Sequence, residues 1–270
     1  KLTSVLGQRY NNELIAGYQS VSDNRPPNSP YATIQLTGTG GVFLLAGAER
    51  FSQANTLDQK IFELTNNLSF DMNDKNRLTV GTHNEFFGFT NVFFPQSIGQ
   101  WNFGTLDSLA LGLPNSYTRA LTGAQAGIPG GRTDGPVADF NVHQFGLYVQ
   151  DQFTPSPKMT IQVGLRADDP TFPTKPAFNQ QLSDSMGFNT SVFPSGNILW
   201  APRVGFNYDA KGDGSFILRG GAGVFSGRPP NVGVSNAFVN TGLEQLDLVC
   251  SGAQVPAFTL DTAATPRTCK

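Results

Sequence analysis

The sequence is poor in charged residues and in metal-binding side chains. Only 14% of its 270 residues are charged and the formal net charge is −2, whereas electrostatic binding of nucleic acid needs a basic surface. Its two cysteines, Cys250 and Cys269, are too few for a disulfide scaffold or a Cys-rich zinc site. Its two histidines, His83 and His143, have no partner at metal-ligand spacing. We therefore expect no metal site, no cofactor and no nucleic-acid partner.

Long apolar runs are also lacking, since no segment reaches the roughly 18 residues of a membrane-spanning helix. The chain contains instead 22 Phe, 30 Gly and 18 Pro. A chain with so many aromatic side chains and so little charge is unlike a disordered protein. The composition favours a β-structured protein.

Strict alternation of apolar and polar residues predicts the first hairpin. In residues 60–71 (KIFELTNNLSFD) every second residue is apolar, and only Asn66 interrupts the apolar side. A period of two is typical of a strand rather than a helix. The turn 72–76 follows, and residues 77–86 alternate again. If Asp71 pairs with Arg77, the apolar residues of the two strands lie opposite each other, and Asn66 lies opposite Thr82.

Two further hairpins show the same pattern. Their short connections are residues 154–158 and 210–214. Pro202 lies inside the third hairpin and removes a backbone donor, so the far end of that strand is less well defined. The apolar positions that share a face are Phe145, Leu147, Val149 and Phe153, then Met159, Ile161, Val163, Leu165 and Ala167, and finally Trp200, Val204, Phe206, Tyr208, Phe216, Leu218, Ala222 and Val224.

Strand length and loop length favour a membrane barrel over a soluble sandwich, although alternation alone fits both. The runs last about 10 residues, as expected for a tilted strand that crosses a bilayer. Long connections near 87–136, 169–196 and 227–270 alternate with the short turns, so all the long loops lie on one side, as in outer-membrane barrels. Two more barrel strands are predicted at 12–22 and 41–51, with short strands at 31–36, 100–103 and 117–121.

Several segments resemble, in their order along the chain, the barrel of Oar-like TonB-dependent outer-membrane receptors. No single segment is specific, but their order over roughly residues 10–230 is. The segments are NELIAGYQ (12–19), FSQANTLDQ (51–59), VGTHNEFF (80–87), WNF (101–103) with 106–114, GLYVQDQF (146–153), GLR (164–166), PRVG (202–205) and LRGG (218–221).

This resemblance implies a barrel of about 22 strands filled by a plug domain, in the bacterial outer membrane. It also implies as partners the membrane lipid, an unknown ligand and a TonB-type energy transducer. The chain departs from the family pattern: no plug, no TonB-contacting segment and no closing aromatic strand is recognisable, and Ala167 replaces the usual aromatic after GLR. We therefore expect an all-β, antiparallel transmembrane β-barrel fragment of about 8–10 strands spanning residues 1–270. A complete small outer-membrane barrel is the alternative.

The polar residues of the alternating strands are predicted to face the barrel lumen. They either line a transport path or contact a plug, or they solvate the interior and pair across strands. Glu63 and Glu85 face each other in the predicted register, but no third catalytic group is found, so we expect no enzymatic activity. The lumen-facing set is Glu63, Asp71, Arg77, Glu85, Arg166, Asp168, Arg203 and Arg219.

Aromatic residues of the second long loop are candidates for ligand capture, although they also suit packing of the loop itself: Phe172, Phe178, Phe188 and Phe193. Trp101, Trp200, Tyr208 and Phe153 are interpreted as interfacial girdle residues. Because Cys250 and Cys269 share the last long loop, an oxidising extracellular location would let them form a disulfide. The competing functional hypothesis is a secreted or surface β-sandwich that binds carbohydrate or protein, in which the apolar faces would be buried.

Overall fold

A computed structural model describes all 270 residues, which form thirteen strands and three short helices. The helices are α1 (Leu106–Ala110), α2 (Gln180–Met186) and α3 (Asn231–Val239), and none is long and apolar enough to cross a bilayer. The strands are β1 (Leu2–Leu6), β2 (Tyr10–Asn24), β3 (Thr33–Gly38), β4 (Gly41–Ala46), β5 (Asn55–Asn73), β6 (Asn76–Phe93), β7 (Gln100–Phe103), β8 (Ser116–Thr122), β9 (Val137–Ser156), β10 (Met159–Thr171), β11 (Leu199–Asp209), β12 (Ile217–Gly223) and β13 (Gln245–Ser251).

Eight strands form one antiparallel sheet in the order β1-β2-β5-β6-β9-β10-β11-β12. The first predicted hairpin is confirmed with its register, because Asp71 pairs with Arg77 and Asn66 with Thr82. The second and third hairpins are β9–β10 and β11–β12. The all-β, antiparallel prediction is thus confirmed. The sheet is open, since β1 and β12 each have a partner on one side only.

The two faces of this sheet are inverted relative to those of a water-soluble protein. The face that we call outward exposes its apolar side chains: Val163 is 54% exposed, Leu147 66% and Leu218 52%. The opposite, inward face buries polar ones, with Glu85 and Asp168 each only 1% exposed. No second protein layer covers the outward face, contrary to the sandwich hypothesis.

A second sheet of five strands, β13-β8-β7-β3-β4, is built from the long connections at one end of the first sheet. Strands β3 and β4 come from residues 25–54, β7 and β8 from 94–136, and β13 from the segment after β12. Its core is apolar, as in a water-soluble protein. Trp101, Phe103 and Tyr117 are almost fully buried, and the rings of Trp101 and Tyr117 lie 4.2 Å apart. Cys250 forms a disulfide with Cys269 beside this core.

Three expectations need correction. The predicted barrel strand 41–51 is β4 of the second sheet, because it forms a tight antiparallel hairpin with β3 in which Gly38 pairs with Gly41, and it ends at Ala46. The first long loop begins at 94 rather than 87, since β6 continues to Phe93 with apolar residues on its inward side too, which hides the alternation. Trp101 is 0% exposed and therefore is not a girdle residue. Strand β1 was not predicted at all.

Candidate functional site

The most concentrated group of charged side chains lies on the inward face, where β5, β6, β9 and β10 meet. Glu63 of β5 pairs in register with Glu85 of β6. His83 lies between the two carboxylates, with Nδ1 3.5 Å from Glu63 and Nε2 3.6 Å from Glu85. The hydroxyl of Thr65 is 2.7 Å from His83 Nδ1 and fixes the ring. An imidazole therefore bridges the two acidic groups that the sequence register had placed opposite each other.

A second ion pair lies on the neighbouring strand β10. Arg166 Nε donates hydrogen bonds to both oxygens of Asp168, at 2.9 and 2.8 Å. Gly146 of β9 makes room for this pair, because a Cβ atom there would lie 2.8 Å from Asp168 and 2.9 Å from Arg166. A buried carboxylate is costly unless it is paired and hydrogen-bonded. The pair is thus held tightly against the wall of the sheet.

A strap of seven residues, 224–230, crosses the inward face after β12 and holds both carboxylates. Ser226 donates a 2.5 Å hydrogen bond to Asp168, and Arg228 forms a two-point contact with Glu85. The Arg228 side chain remains 55% exposed while Glu85 is 1% exposed. Between the strap and the sheet lies a cavity of about 350 Å³ lined by His83, Glu85, Gln144, Tyr148, Arg166, Ala201, Arg203 and residues 224–228.

Beyond the strap the inward face becomes apolar and is covered by α3. Phe140 of β9 stacks on Phe238 of α3 with ring centroids 4.5 Å apart, and Phe89 packs on Phe140 at 5.0 Å. The α3 helix thereby anchors the far end of the strap by apolar contacts. The charged cavity lies between this apolar patch and the open inward surface nearer the short turns.

The structure brings together only part of the predicted lumen-facing set. Glu63, Glu85, Arg166 and Asp168 belong to the cluster just described, and Arg203 lines the same cavity without an ion-pair partner. The remaining three lie elsewhere on the inward face. Asp71 and Arg77 pair with each other at 3.7 Å beside the β5–β6 turn, and Arg219 donates to Asn207 at 2.7 Å.

Sequence reasoning missed the three residues that complete the cluster, namely His83, Ser226 and Arg228. The alternation predicts that His83 lies on the same face as Glu85, but the predicted lumen-facing set does not include it. Ser226 and Arg228 lie in the strap, outside any periodic pattern. No local signal in the sequence indicates where such a segment folds.

The four aromatic residues of the second long loop divide into two pairs. Phe172 and Phe193 pack on each other, with ring centroids 4.6 Å apart, and against the apolar cluster under α3. Phe178 and Phe188 are exposed by 44% and 63%. The first pair therefore packs the loop, and a role in ligand capture remains a prediction for the exposed pair only.

This arrangement can bind polar groups, since it presents guanidinium, imidazole, carboxylate and amide side chains around one cavity of about 350 Å³. Gln144 contributes a buried amide oxygen that has no hydrogen-bond partner. Groups of three or more His, Cys, Asp or Glu side chains suited to hold a metal ion are absent from the 270 residues.

One family model, described as an outer membrane beta barrel domain, matches residues 1–268 of the chain. No curated protein and no solved structure matches this chain significantly.

Proposed function

This chain belongs to the outer membrane beta barrel domain family, and from that premise we propose that it forms part of the barrel wall of a TonB-dependent receptor for energised ligand uptake. Membership places the protein in the bacterial outer membrane. The exposed apolar side chains of the outward face then contact lipid, and the inward face is the lumen side.

The observation that carries the proposal is the strap held on the lumen wall by Glu85 and Asp168. A simple pore needs an open lumen, whereas here a segment between β12 and α3 is fixed across the wall by charge-assisted bonds. Such bonds can be exchanged for bonds to a ligand or a plug at little net cost, because each partner remains charged and hydrogen-bonded. The cluster supports a gated path rather than free diffusion.

The open edges of the eight-stranded sheet support a larger barrel. Strands β1 and β12 each leave one row of backbone donors and acceptors without strand partners. In hydrocarbon, every such group must be satisfied within the protein, so a spanning sheet must close. Further strands that continue the sheet on both sides fit the resemblance to a wide receptor barrel better than a complete barrel of eight strands.

We further propose that the chain has no catalytic role. Glu85 and Asp168 are both held by guanidinium groups, and the His83 ring lies between two carboxylates. These contacts serve binding and closure of the lumen wall. The partners in this proposal are the plug, the TonB-type transducer and the ligand, which is a siderophore, glycan, peptide or protein.

Uptake assays in the native bacterium test the proposal. Deletion of the gene should abolish uptake of one labelled ligand from a panel of ferric siderophores, oligosaccharides and peptides, and an uncoupler of the inner membrane should abolish it in the wild type. Arg228→Ala and Glu85→Gln should lower uptake, whereas the matched variant Asp71→Asn, in the ion pair next to the short turn, should not. Uptake that persists in the presence of the uncoupler would contradict an energised receptor.

A further inference from the structure

The residues directly beside Arg203 on the inward face have no side chain that could pair with it. Arg203 lies on β11, where its cross-strand neighbours are Gly164 of β10 and Gly223 of β12. The adjacent inward positions of β11 are Ala201 and Gly205. Cross-strand neighbours are the usual partners of a charged side chain on a sheet. The sheet therefore places this arginine where its own wall offers no acceptor.

The Arg203 side chain lies close against the wall of the sheet. A Cβ atom at Gly164 would lie 3.0 Å from its Nε, so the glycine leaves the space that the guanidinium uses. Nε is buried and has no hydrogen-bond partner. A guanidinium has five N–H donors and no acceptor, and a buried donor without a partner is costly. Arg203 is thus a donor that the chain's own residues do not satisfy.

The other two arginines of the cavity are neutralised by carboxylates. Arg166 pairs with Asp168 at 2.7 Å, and Arg228 pairs with Glu85. Arg203 is the one arginine of the cavity without such a partner, so it favours a single negative charge. A carboxylate supplies that charge in a planar form that accepts two parallel guanidinium bonds. A phosphate carries about −1.5 to −2 charges at pH 7, and the excess would lie near Asp168 and Glu85.

A second unsatisfied group lies at the other end of the same cavity. Gln144 of β9 is 6% exposed, and its buried side-chain oxygen accepts no hydrogen bond. An amide oxygen accepts from an O–H or N–H donor. Arg203 lies opposite Gly164 and Gln144 lies opposite Pro170, and positions 164 and 170 are about 20 Å apart along β10. The two groups therefore suit opposite ends of one elongated molecule.

We propose that this cavity binds an elongated organic acid, with Arg203 on its terminal carboxylate and Gln144 on an uncharged O–H or N–H donor. Such an acid is a short peptide that ends in its α-carboxylate or a saccharide that ends in a uronic acid. The cavity of about 350 Å³ lies between the strap and the sheet. A small acid fits there, whereas a plug segment would have to thread beneath residues 224–230. The inference names the ligand class of the lumen cavity and so rests on the proposed function.

Isothermal titration calorimetry tests the proposal on the intact protein that carries this chain, purified in lipid nanodiscs. The acidic probes are acetyl-triglycine and cellobiouronic acid, and their neutral counterparts are acetyl-triglycine amide and cellobiose. At least one acid should bind saturably while its neutral counterpart does not, and the acid that binds more tightly identifies the peptide or the saccharide class.

Variants assign that binding to the cavity. Arg203→Gln should weaken it by about 10–100-fold, and Arg203→Lys, which keeps the charge but not the two-point geometry, should weaken it less. The matched control Arg219→Gln removes the same charge from the inward face, where Arg219 donates to Asn207, and should leave binding unchanged. Gln144→Met should weaken binding by roughly fivefold. Heat-modifiable gel migration should be the same for all four variants, which separates loss of binding from loss of the fold.

Three results would overturn the proposal: equal binding of an acid and its neutral counterpart, acid binding that Arg203→Gln and Gln144→Met do not weaken, and no saturable binding of either acid. The last result is expected if a carboxylate of the plug occupies Arg203. The titration needs no energy source, so its outcome is distinct from that of the uptake assay. Uptake that persists in the presence of the uncoupler would leave Arg203-dependent binding intact, and failure of the titration would leave energised uptake intact.

Discussion

The two sheets of this molecule bury different kinds of side chain. In the eight-stranded sheet, Val163 is 54% exposed while Glu85 is 1% exposed. In the five-stranded sheet, Trp101 and Tyr117 are buried in an aromatic core, while the edge strand β4 exposes Val42, Phe43, Leu44 and Leu45 by 43–76%. The two sheets share one chain and one set of backbone rules, so the difference lies in the interior of each: polar side chains are buried in the first and aromatic ones in the second. Lipid solvates apolar side chains, whereas water drives them inward.

The comparison also explains where polar interactions are strong. On the inward face of the eight-stranded sheet, carboxylates are held by guanidinium groups of the same sheet and of the strap. In the five-stranded sheet, the side chains of β8 donate to backbone carbonyls instead: the Tyr117 hydroxyl to Pro266 at 2.9 Å and the Arg119 guanidinium to Thr265 at 2.6 Å. The buried carboxylates that guanidinium groups hold are thus those of the lumen cavity, whereas the five-stranded sheet combines apolar burial, a disulfide and hydrogen bonds to backbone carbonyls.

The largest expected effect lies in the core of the five-stranded sheet. Trp101→Ala should destabilise that sheet by about 3–5 kcal/mol, because it leaves a cavity in a buried aromatic cluster. Trp200→Ala is the matched control, since Trp200 is 59% exposed on the outward face of the other sheet. Limited proteolysis of residues 94–136 and 240–270 measures the effect. Equal protease sensitivity of the two variants would contradict the different packing of the two tryptophans.

The inverted polarity of the eight-stranded sheet gives the next effect. Val163→Arg should cost about 2–4 kcal/mol near the bilayer midplane, as measured by urea unfolding in lipid vesicles. Gln162→Arg, on the adjacent inward position of β10, should cost much less because the lumen side is hydrated. Similar costs for the two variants would mean that both faces meet the same medium.

We expect the disulfide to stabilise only the five-stranded sheet. Cys250 and Cys269 are separated by 19 positions, and closing a loop of that length contributes about 3 kcal/mol in the chain-entropy model. The double variant Cys250→Ser/Cys269→Ser should therefore lower the protease resistance of the five-stranded sheet. Heat-modifiable gel migration, which reports the barrel strands, should be unchanged. A loss of heat modifiability would show that the two sheets fold as one unit.

The smallest effect concerns the Tyr117 hydroxyl. Burial raises the pKa of Tyr117 to about 12, above the usual value of about 10. The stabilisation by the neutral phenol is therefore complete below pH ~10 and is lost as the pH rises through ~12. The ultraviolet titration of tyrosinate should contain a late step that Tyr117→Phe removes. That variant should lower the stability of the five-stranded sheet by about 1 kcal/mol. A wild-type titration without the late step would contradict the buried phenol.

The strands of the eight-stranded sheet were predictable wherever one side was apolar and the other polar. The Asp71–Arg77 register followed from matching apolar residues across a short turn, and it is the register of the structure. The method failed where that contrast disappears. The end of β6 has Phe87 and Phe89 on its inward side as well as apolar residues on its outward side, so the sequence there looks like a loop.

Only part of the candidate site was predictable from the sequence. Strand parity brought Glu63, Glu85, Arg166 and Asp168 to one face, because side chains on a strand alternate strictly. It could not find the strap partners, since Ser226 lies 58 residues from Asp168 and Arg228 lies 143 residues from Glu85. In the same way, no local sequence pattern placed the strand Gly41–Ala46 in the second sheet. Its partner β3 joins that sheet by pairing with the distant strand β7.

The sequence by itself therefore determined the class of strand, the face on which the side chains of the three short-turn hairpins lie and the register of the first of these hairpins. These depend on neighbours within a few residues, where backbone geometry leaves little choice. Only the tertiary structure decided which loops join into a second sheet, and that a strap lies across the lumen wall. Such contacts depend on the packing of segments far apart in the chain, which local periodicity does not encode.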